Sequence, residues 1–189
     1  MRLFVAAEIG SEVRARLSRL VEDLQPLPLE VRWVRPGGTH LTFKFLGEVP
    51  EDRLERIGAA IGPVTLGRSP FELEAAGLGF FPGSGAPRVV WVGLRGDLEA
   101  AKHLHRVIDT ALVTAGFGPD DRPFRPHLTI GRVRGPGRGD WRPAYAERSG
   151  IACGGFRVQE VVLFRSHLGP GGASHEALRR FPLAGGEAG

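Results

Sequence analysis

A chain of 189 residues suits one large domain or two small lobes that share a core. Apolar residues make up 42% and charged residues 24%, which excludes global disorder, and a formal charge of +4 suits an anionic ligand without by itself marking a nucleic-acid binder. The single cysteine, Cys153, excludes an internal disulfide and a cysteine-based zinc site; with no basic neighbour in "GIACGGF" it reads as an inert small residue.

In chain order, "RLFVAAEI" has the composition of a buried strand, and its apolar run of about six residues is too short for a signal peptide or a membrane span. A cytoplasmic location is expected. "SEVRARLSRLVEDLQ" follows as a helix, with Ser11 as N-cap, apolar Val13, Leu17, Leu20, Val21 and Leu24 at helical spacing, and Pro26 and Pro28 behind it. "VRWVR" and "HLTFKFLGEV" read as two strands joined hairpin-fashion by "PGGT". "PEDRLERIGAAIG" reads as a second helix that begins at its proline. "FELEAAGLGFF" is strand-like and "PGSGAP" a loop. The pattern then restarts with the strand "RVVWVGL" and a helix over "DLEAAKHLHRVIDTALVTAGF", capped by Asp97, stopped by Gly116, and carrying one apolar stripe through Leu104, Ile108 and Leu112. "RPHLTIGRV" and "VQEVVLFRSHL" are strands, "HEALRRFPLAG" an edge strand, and residues 133–150 a basic Gly/Pro-rich loop with at most one helical turn. Strands and helices without regular βαβ alternation predict an α+β fold of antiparallel sheets. Each half carries strand, helix and motif strand, so two pseudo-twofold-related lobes are expected, near 1–85 and 86–189, with helices outside, a cleft between them, and strands free to exchange across the boundary.

The motif is His-Leu-Thr, present at 40–42 and again at 127–129; six His and six Thr in this length would give a His-x-Thr triplet about 0.2 times by chance. Side chains alternate along a strand, so His40, Thr42 and Lys44 are expected on one face with Leu41, Phe43 and Phe45 packed behind. Arg125, His127 and Thr129 form the matching polar face of the second copy. Two imidazoles near neutrality can serve as acid and base, and two hydroxyls can donate to phosphate oxygens, which is the equipment for opening a cyclic phosphodiester with water. A two-histidine metal site is the rival reading, but no Asp or Glu lies within either motif. His103 and His105, two apart on a helix, share no face and read as solvated. Trp33, Trp91 and Trp141 read as core or rim residues, one of which could stack on a base.

The pair "HLTF" and "HLTI" resembles the two His-x-Thr-x motifs of the two-histidine phosphoesterase superfamily. With "MRLFVAAEI", "VRWVRPGGTHLTFKFLGEV", "FRPHLTIGRV" and "VVLFRSHLGPGG" in the same order, the chain is similar over nearly its whole length to the RNA 2′,3′-cyclic phosphodiesterases historically called 2′-5′ RNA ligases. That resemblance implies a bilobal α+β fold and hydrolysis of a terminal 2′,3′-cyclic phosphate to a 2′-phosphate, with no metal and no cofactor. It implies His40 as proton donor, His127 as proton acceptor, and Thr42 and Thr129 as phosphate ligands. RNA with a cyclic phosphate end, or a related cyclic nucleotide, is the expected partner, with no membrane and no obligate protein partner. A nucleotide- or RNA-end-binding module and a 2′-5′ ligase of tRNA halves are the alternatives. ATP-driven ligation is disfavoured because no Gly-x-x-x-x-Gly-Lys-Ser/Thr loop is present. Arg125, Arg132, Lys44 and His175 are the further substrate-binding candidates; His175 stands where that family commonly has Tyr. Arg is strongly preferred over Lys, 23 to two, which suits phosphate recognition and equally a GC-rich genome, so Arg134, Arg138 and Arg142 of the basic loop carry a weaker expectation of RNA contact.

Overall fold

The computed structural model describes residues 1–83, 86–120, 122–135, 142–169 and 172–185. The first strand, β1 (Arg2–Glu8), is buried on both faces, as its unbroken apolar run requires. Its odd-numbered residues Leu3, Val5 and Ala7 join the main core, while Phe4 and Ala6 form a second, smaller cluster with Val162 and Phe164 on the opposite face. Helix α1 (Ser11–Leu24) buries Val13, Leu17, Leu20 and Leu24; Gly10 takes the N-cap position and Ser11 is the first helical residue. A three-residue strand, β2 (Val31–Trp33), and a 3₁₀ turn at Pro36–Gly38 lead into β3 (His40–Glu48). Helix α2 (Leu54–Leu66) starts after a 3₁₀ turn at Glu51–Arg53, so Pro50 precedes that turn.

The second half repeats the plan. β4 (Phe71–Phe81) and β5 (Val89–Gly96) form a long antiparallel pair. Helix α3 (Leu98–Thr114) buries Ala101, Leu104, Ile108 and Leu112. Burial of each large apolar side chain contributes about 1.5–3 kcal/mol, which is why this stripe outweighs weak caps. Asp97 occupies the N-cap position, but its carboxylate accepts from the Glu72 amide at 3.1 Å rather than capping the helix. At the other end Gly116, at φ +82°, donates to the Val113 carbonyl and Phe117 donates to that of Leu112, a Schellman closure that a side chain at 116 would strain. β6 (His127–Val133), the short α4 (Arg142–Ala146), β7 (Ala152–Val158), β8 (Glu160–Gly169) and β9 (Gly172–Pro182) complete the chain. β7 is not legible in the sequence, because its Gly-Gly pair dilutes the strand pattern.

Every pairing is antiparallel, and the sheet runs β7-β4-β5-β6-β3-β1-β8-β9, with β2 beside β6. It is one continuous curled sheet rather than two, with helices on its convex face. Two four-strand halves meet at β3 and β6, and they correspond by a pseudo-twofold through that seam. Strands are exchanged across the chain midpoint: β4 lies in the half built around β5 and β6, while β8 and β9 lie beside β1. The expected β2–β3 hairpin is corrected: β2 pairs with β6, Val31 opposite Val133 and Trp33 opposite Gly131. Gly131 permits this approach, since a Cβ there would strike the Val31 side chain and lie 3.0 Å from the Trp33 ring.

Candidate active site

The seam is one residue pair, Leu41 opposite Leu128, both at 0% exposure in the main core. Antiparallel geometry sets His40 across from Thr129 and Thr42 across from His127, all four half-buried on the concave face. Beyond that pair the two strands turn to other neighbours, His40 to Glu8 of β1 and His127 to Gly93 of β5. The floor of the cleft is therefore a four-residue, twofold-related patch of alternating imidazole and hydroxyl.

The two imidazoles are held alike. The Nδ1 of His127 lies 2.6 Å from the carbonyl of Arg125, two residues upstream. An N–H on that nitrogen donates to the carbonyl, which leaves Nε2 free to accept. His40 likewise bonds to the carbonyl of Gly38, again two residues upstream. Around His40 stand three rings: Phe4 stacked at 4.7 Å, Phe164 at 6.1 Å and His175 edge-on at 5.1 Å. Around His127 stand Phe81, edge-on at 5.0 Å, and Trp91 at 6.4 Å. Burial is the main cause that pushes the His40 pKa down to about 4, and the neighbouring His175 adds to it. The pKa of His127 is also lowered, by burial and then by the charge of Arg132, although the Arg125 carbonyl works the other way. His175 is lowered by burial, and its Nδ1 is buried without a partner, as is Nε1 of Trp91.

Matching β-bulges follow both motifs. Along β3 the register passes from Thr42, opposite Ala6, to Lys44, opposite Val5, leaving Phe43 out; along β6 it passes from Thr129, opposite Trp91, to Gly131, opposite Val90, leaving Ile130 out. Strict alternation therefore fails at the same place in each copy. Lys44 is corrected as a substrate-binding candidate: it points to the helix side with its side chain 1% exposed, ion-paired to Asp109 and 3.6 Å from Asp120. The same bulges return Phe45 and Arg132 to the concave face. Phe45 is 63% exposed, its ring 6.0 Å from that of Phe4, and Arg132 lies close enough to bias His127. Phe45 was hidden from an alternation argument, and only the bulge reveals it.

Other candidates fall outward. Arg125 is exposed and meets His127 through its carbonyl, and Arg134 is exposed, with its amide donating to the Glu30 carbonyl. Arg142 opens α4, while Arg138 and Trp141 lie outside the described residues. His167 pairs with Glu176 at 2.9 Å, away from the motif strands. His105 is not solvated: its ring stacks on Phe124 at 4.3 Å and its Nε2 meets Asp120 at 2.9 Å. Cys153 is buried, and burial pushes its thiol pKa up, consistent with an unreactive side chain. Among the described residues no group of three or more His, Cys, Asp or Glu is placed to hold a metal ion, and no helix is long and apolar enough to cross a membrane.

A twofold-related pair of imidazoles and hydroxyls thus lines the concave face of the sheet, and the relatives of this chain are phosphoesterases. The LigT like Phosphoesterase family matches residues 8–91 and 94–174, one His-x-Thr motif in each segment, and the chain belongs to that family. It is 36% identical over 184 residues, 97% of this chain and 99% of the relative, to an RNA 2′,3′-cyclic phosphodiesterase of Methanothermobacter thermautotrophicus. It is 35% identical to a protein of the same name from Archaeoglobus fulgidus, covering 96% of this chain and 99% of that one. Among solved structures, TT0787 of Thermus thermophilus superposes with a TM-score of 0.82 at 29% identity, over 98% of this chain and 99% of that one. E. coli LigT complexed with 3′-AMP superposes with a TM-score of 0.78 at 26% identity, over 96% and 97%.

Proposed function

We propose that this protein hydrolyses RNA 2′,3′-cyclic phosphate ends to 2′-phosphomonoesters, with paired histidines as acid and base and without a metal or cofactor. The observation that carries the reading is the twofold repetition of one unit across the Leu41–Leu128 pair: an imidazole tied to the carbonyl two residues before it, beside a threonine hydroxyl. The relatives named RNA 2′,3′-cyclic phosphodiesterases supply the substrate class.

In the proposed reaction a water attacks phosphorus as Nε2 of His127 takes its proton. The bond from phosphorus to O3′ breaks, and His40 delivers a proton to that oxygen, leaving a 3′-hydroxyl and a 2′-phosphate. Thr42 and Thr129 donate to the non-bridging oxygens as charge grows there. Each acid or base step contributes a factor of about 10²–10⁴. A cytoplasmic location belongs to the same reading.

The test is an oligonucleotide ended by a 2′,3′-cyclic phosphate, with the products resolved into 2′- and 3′-phosphates. His40→Ala and His127→Ala should each lower turnover by several powers of ten, and the double variant should be little worse than either, because acid and base act as a unit. Near-normal turnover in either single variant defeats the mechanism. Activity should survive EDTA; loss restored stoichiometrically by zinc or manganese would move the site to the metal class. Tight binding without turnover would favour a binding module, and joining of RNA ends would favour ligation.

A further inference from the structure

Behind the motif strands, on the convex side, lies a charged cluster that the proposed chemistry does not use. Lys44 is closed off from solvent and ion-paired to Asp109 of α3, with Asp120 at 3.6 Å. Asp120 is also bound by Nε2 of His105, one turn before Asp109 on α3, at 2.9 Å. The His105 ring lies parallel to Phe124, at 4.3 Å and 3°, and Phe124 stacks in turn on Phe43 at 5.8 Å. The next residue after Phe124 is Arg125, whose carbonyl fixes Nδ1 of His127. An unbroken chain of contacts thus runs from the bulge after Thr42, through α3, to the group that sets the tautomer of the second imidazole.

We propose that Lys44, His105, Asp109 and Asp120 are a positioning device for His127: by fixing Asp120 and Phe124 against β3 they keep the Arg125 carbonyl on Nδ1, so that Nε2 is presented to the cleft. Three features favour this over a merely stabilising pair. A lysine buried beside two carboxylates is a costly choice for stability, since an apolar side chain of similar volume is often as good or better there. The cluster reaches both motif strands or their approaches, since Lys44 lies on β3 and Asp120 lies ahead of β6. Its stacked rings, Phe43, Phe124 and His105, leave the segment before His127 little freedom to slide. None of these four side chains touches substrate in the reading above, on which the positioning of a base depends.

The experiment reads the tautomer directly, so it does not depend on turnover. In full-length protein with ¹⁵N-labelled histidine, long-range proton–nitrogen correlation should show wild-type His127 as a single Nδ1–H form. Lys44→Met and His105→Phe, the latter keeping the stack on Phe124 but losing the bond to Asp120, should both populate the Nε2–H form. Turnover of the cyclic phosphate should fall by about 10²-fold for Lys44→Met, with KM changed by less than about threefold, as misplacement of a catalytic group predicts. If Lys44→Met does not fold, His105→Phe carries the test alone. A wild-type tautomer retained in the folded variants overturns the proposal, as does a wild-type His127 that is not Nδ1–H. A tautomer shift in a protein that never turns over the cyclic phosphate would leave this proposal standing and remove the phosphodiesterase reading instead.

Discussion

A proton donor with a pKa of about 4 is uncharged at neutral pH, so the proposed acid is not armed in the free protein. Charging His40 at pH 7 means closing a gap of about three pKa units, or about 4 kcal/mol. A singly charged phosphate about 4 Å away, at the effective dielectric of a partly exposed site, supplies about 4 kcal/mol. The two terms balance, so substrate binding should bring the His40 pKa close to 7 and draw a proton from solution. The perturbation is the binding of a nucleoside 2′,3′-cyclic phosphate, which has no group of its own titrating nearby, to the His127→Ala variant, which lacks the proposed base. Calorimetry in buffers of different ionisation enthalpy should report uptake of about half a proton at pH 7, more at pH 6, and little above pH 8. Adding His40→Asn should abolish it. Absence of uptake between pH 6 and 7 would refute the reasoning, and uptake that survives His40→Asn would assign the proton to another group, with His175 the first candidate.

The same depressed pKa has a cost in stability. His40 is lower in the folded protein than in the unfolded chain, so the unfolded chain binds the extra proton and stability falls as pH drops from 6.5 towards about 4, by about 3 kcal/mol in all. Denaturant midpoints across that window should show the loss in wild type and a smaller one in His40→Gln. Arg132 lowers the His127 pKa, so Arg132→Ser should raise it and move the acid limb of kcat/KM to higher pH. Phe45→Ala should leave stability within about 0.5 kcal/mol, because the ring is mostly exposed. If a base stacks there, at about 1–3 kcal/mol, KM for a cyclic nucleotide should rise by about 5- to 150-fold.

The placement of the four motif residues was legible in the sequence because it follows unbroken local patterns. His40, Thr42, His127 and Thr129 precede the bulges, and period-two alternation holds up to that point. One residue further it fails, which is why Lys44 reads as a cleft residue and Phe45 as core when the reverse is true. A bulge has no composition of its own, so nothing in "TFKF" or "TIGR" announces it. The helices were legible from their apolar stripes, but the partner of β2 was not: "VRW" carries its strand propensity openly and its pairing not at all. His105 shows the same limit. Its place on α3 is readable, whereas its stack on Phe124 depends on how the residues before β6 pass over the helix.

The two connectors that lead from a helix into a motif strand are swapped. The one entering β3 lies along β6, through β2, the bond from the Val34 amide to the Ile130 carbonyl, and that from the Arg134 amide to the Glu30 carbonyl. The one entering β6 lies along β3, through Asp120 on Lys44 and Phe124 on Phe43. Each half thus grips the strand of the other, like two hands clasped at the wrist. Neither histidine strand can come loose without releasing the segment that delivers the other, so the pair should open as one unit. In native-state hydrogen exchange the amides of Leu41 and Leu128 should therefore share a single opening free energy, and separated halves of the chain should be unable to present either imidazole in its working pose.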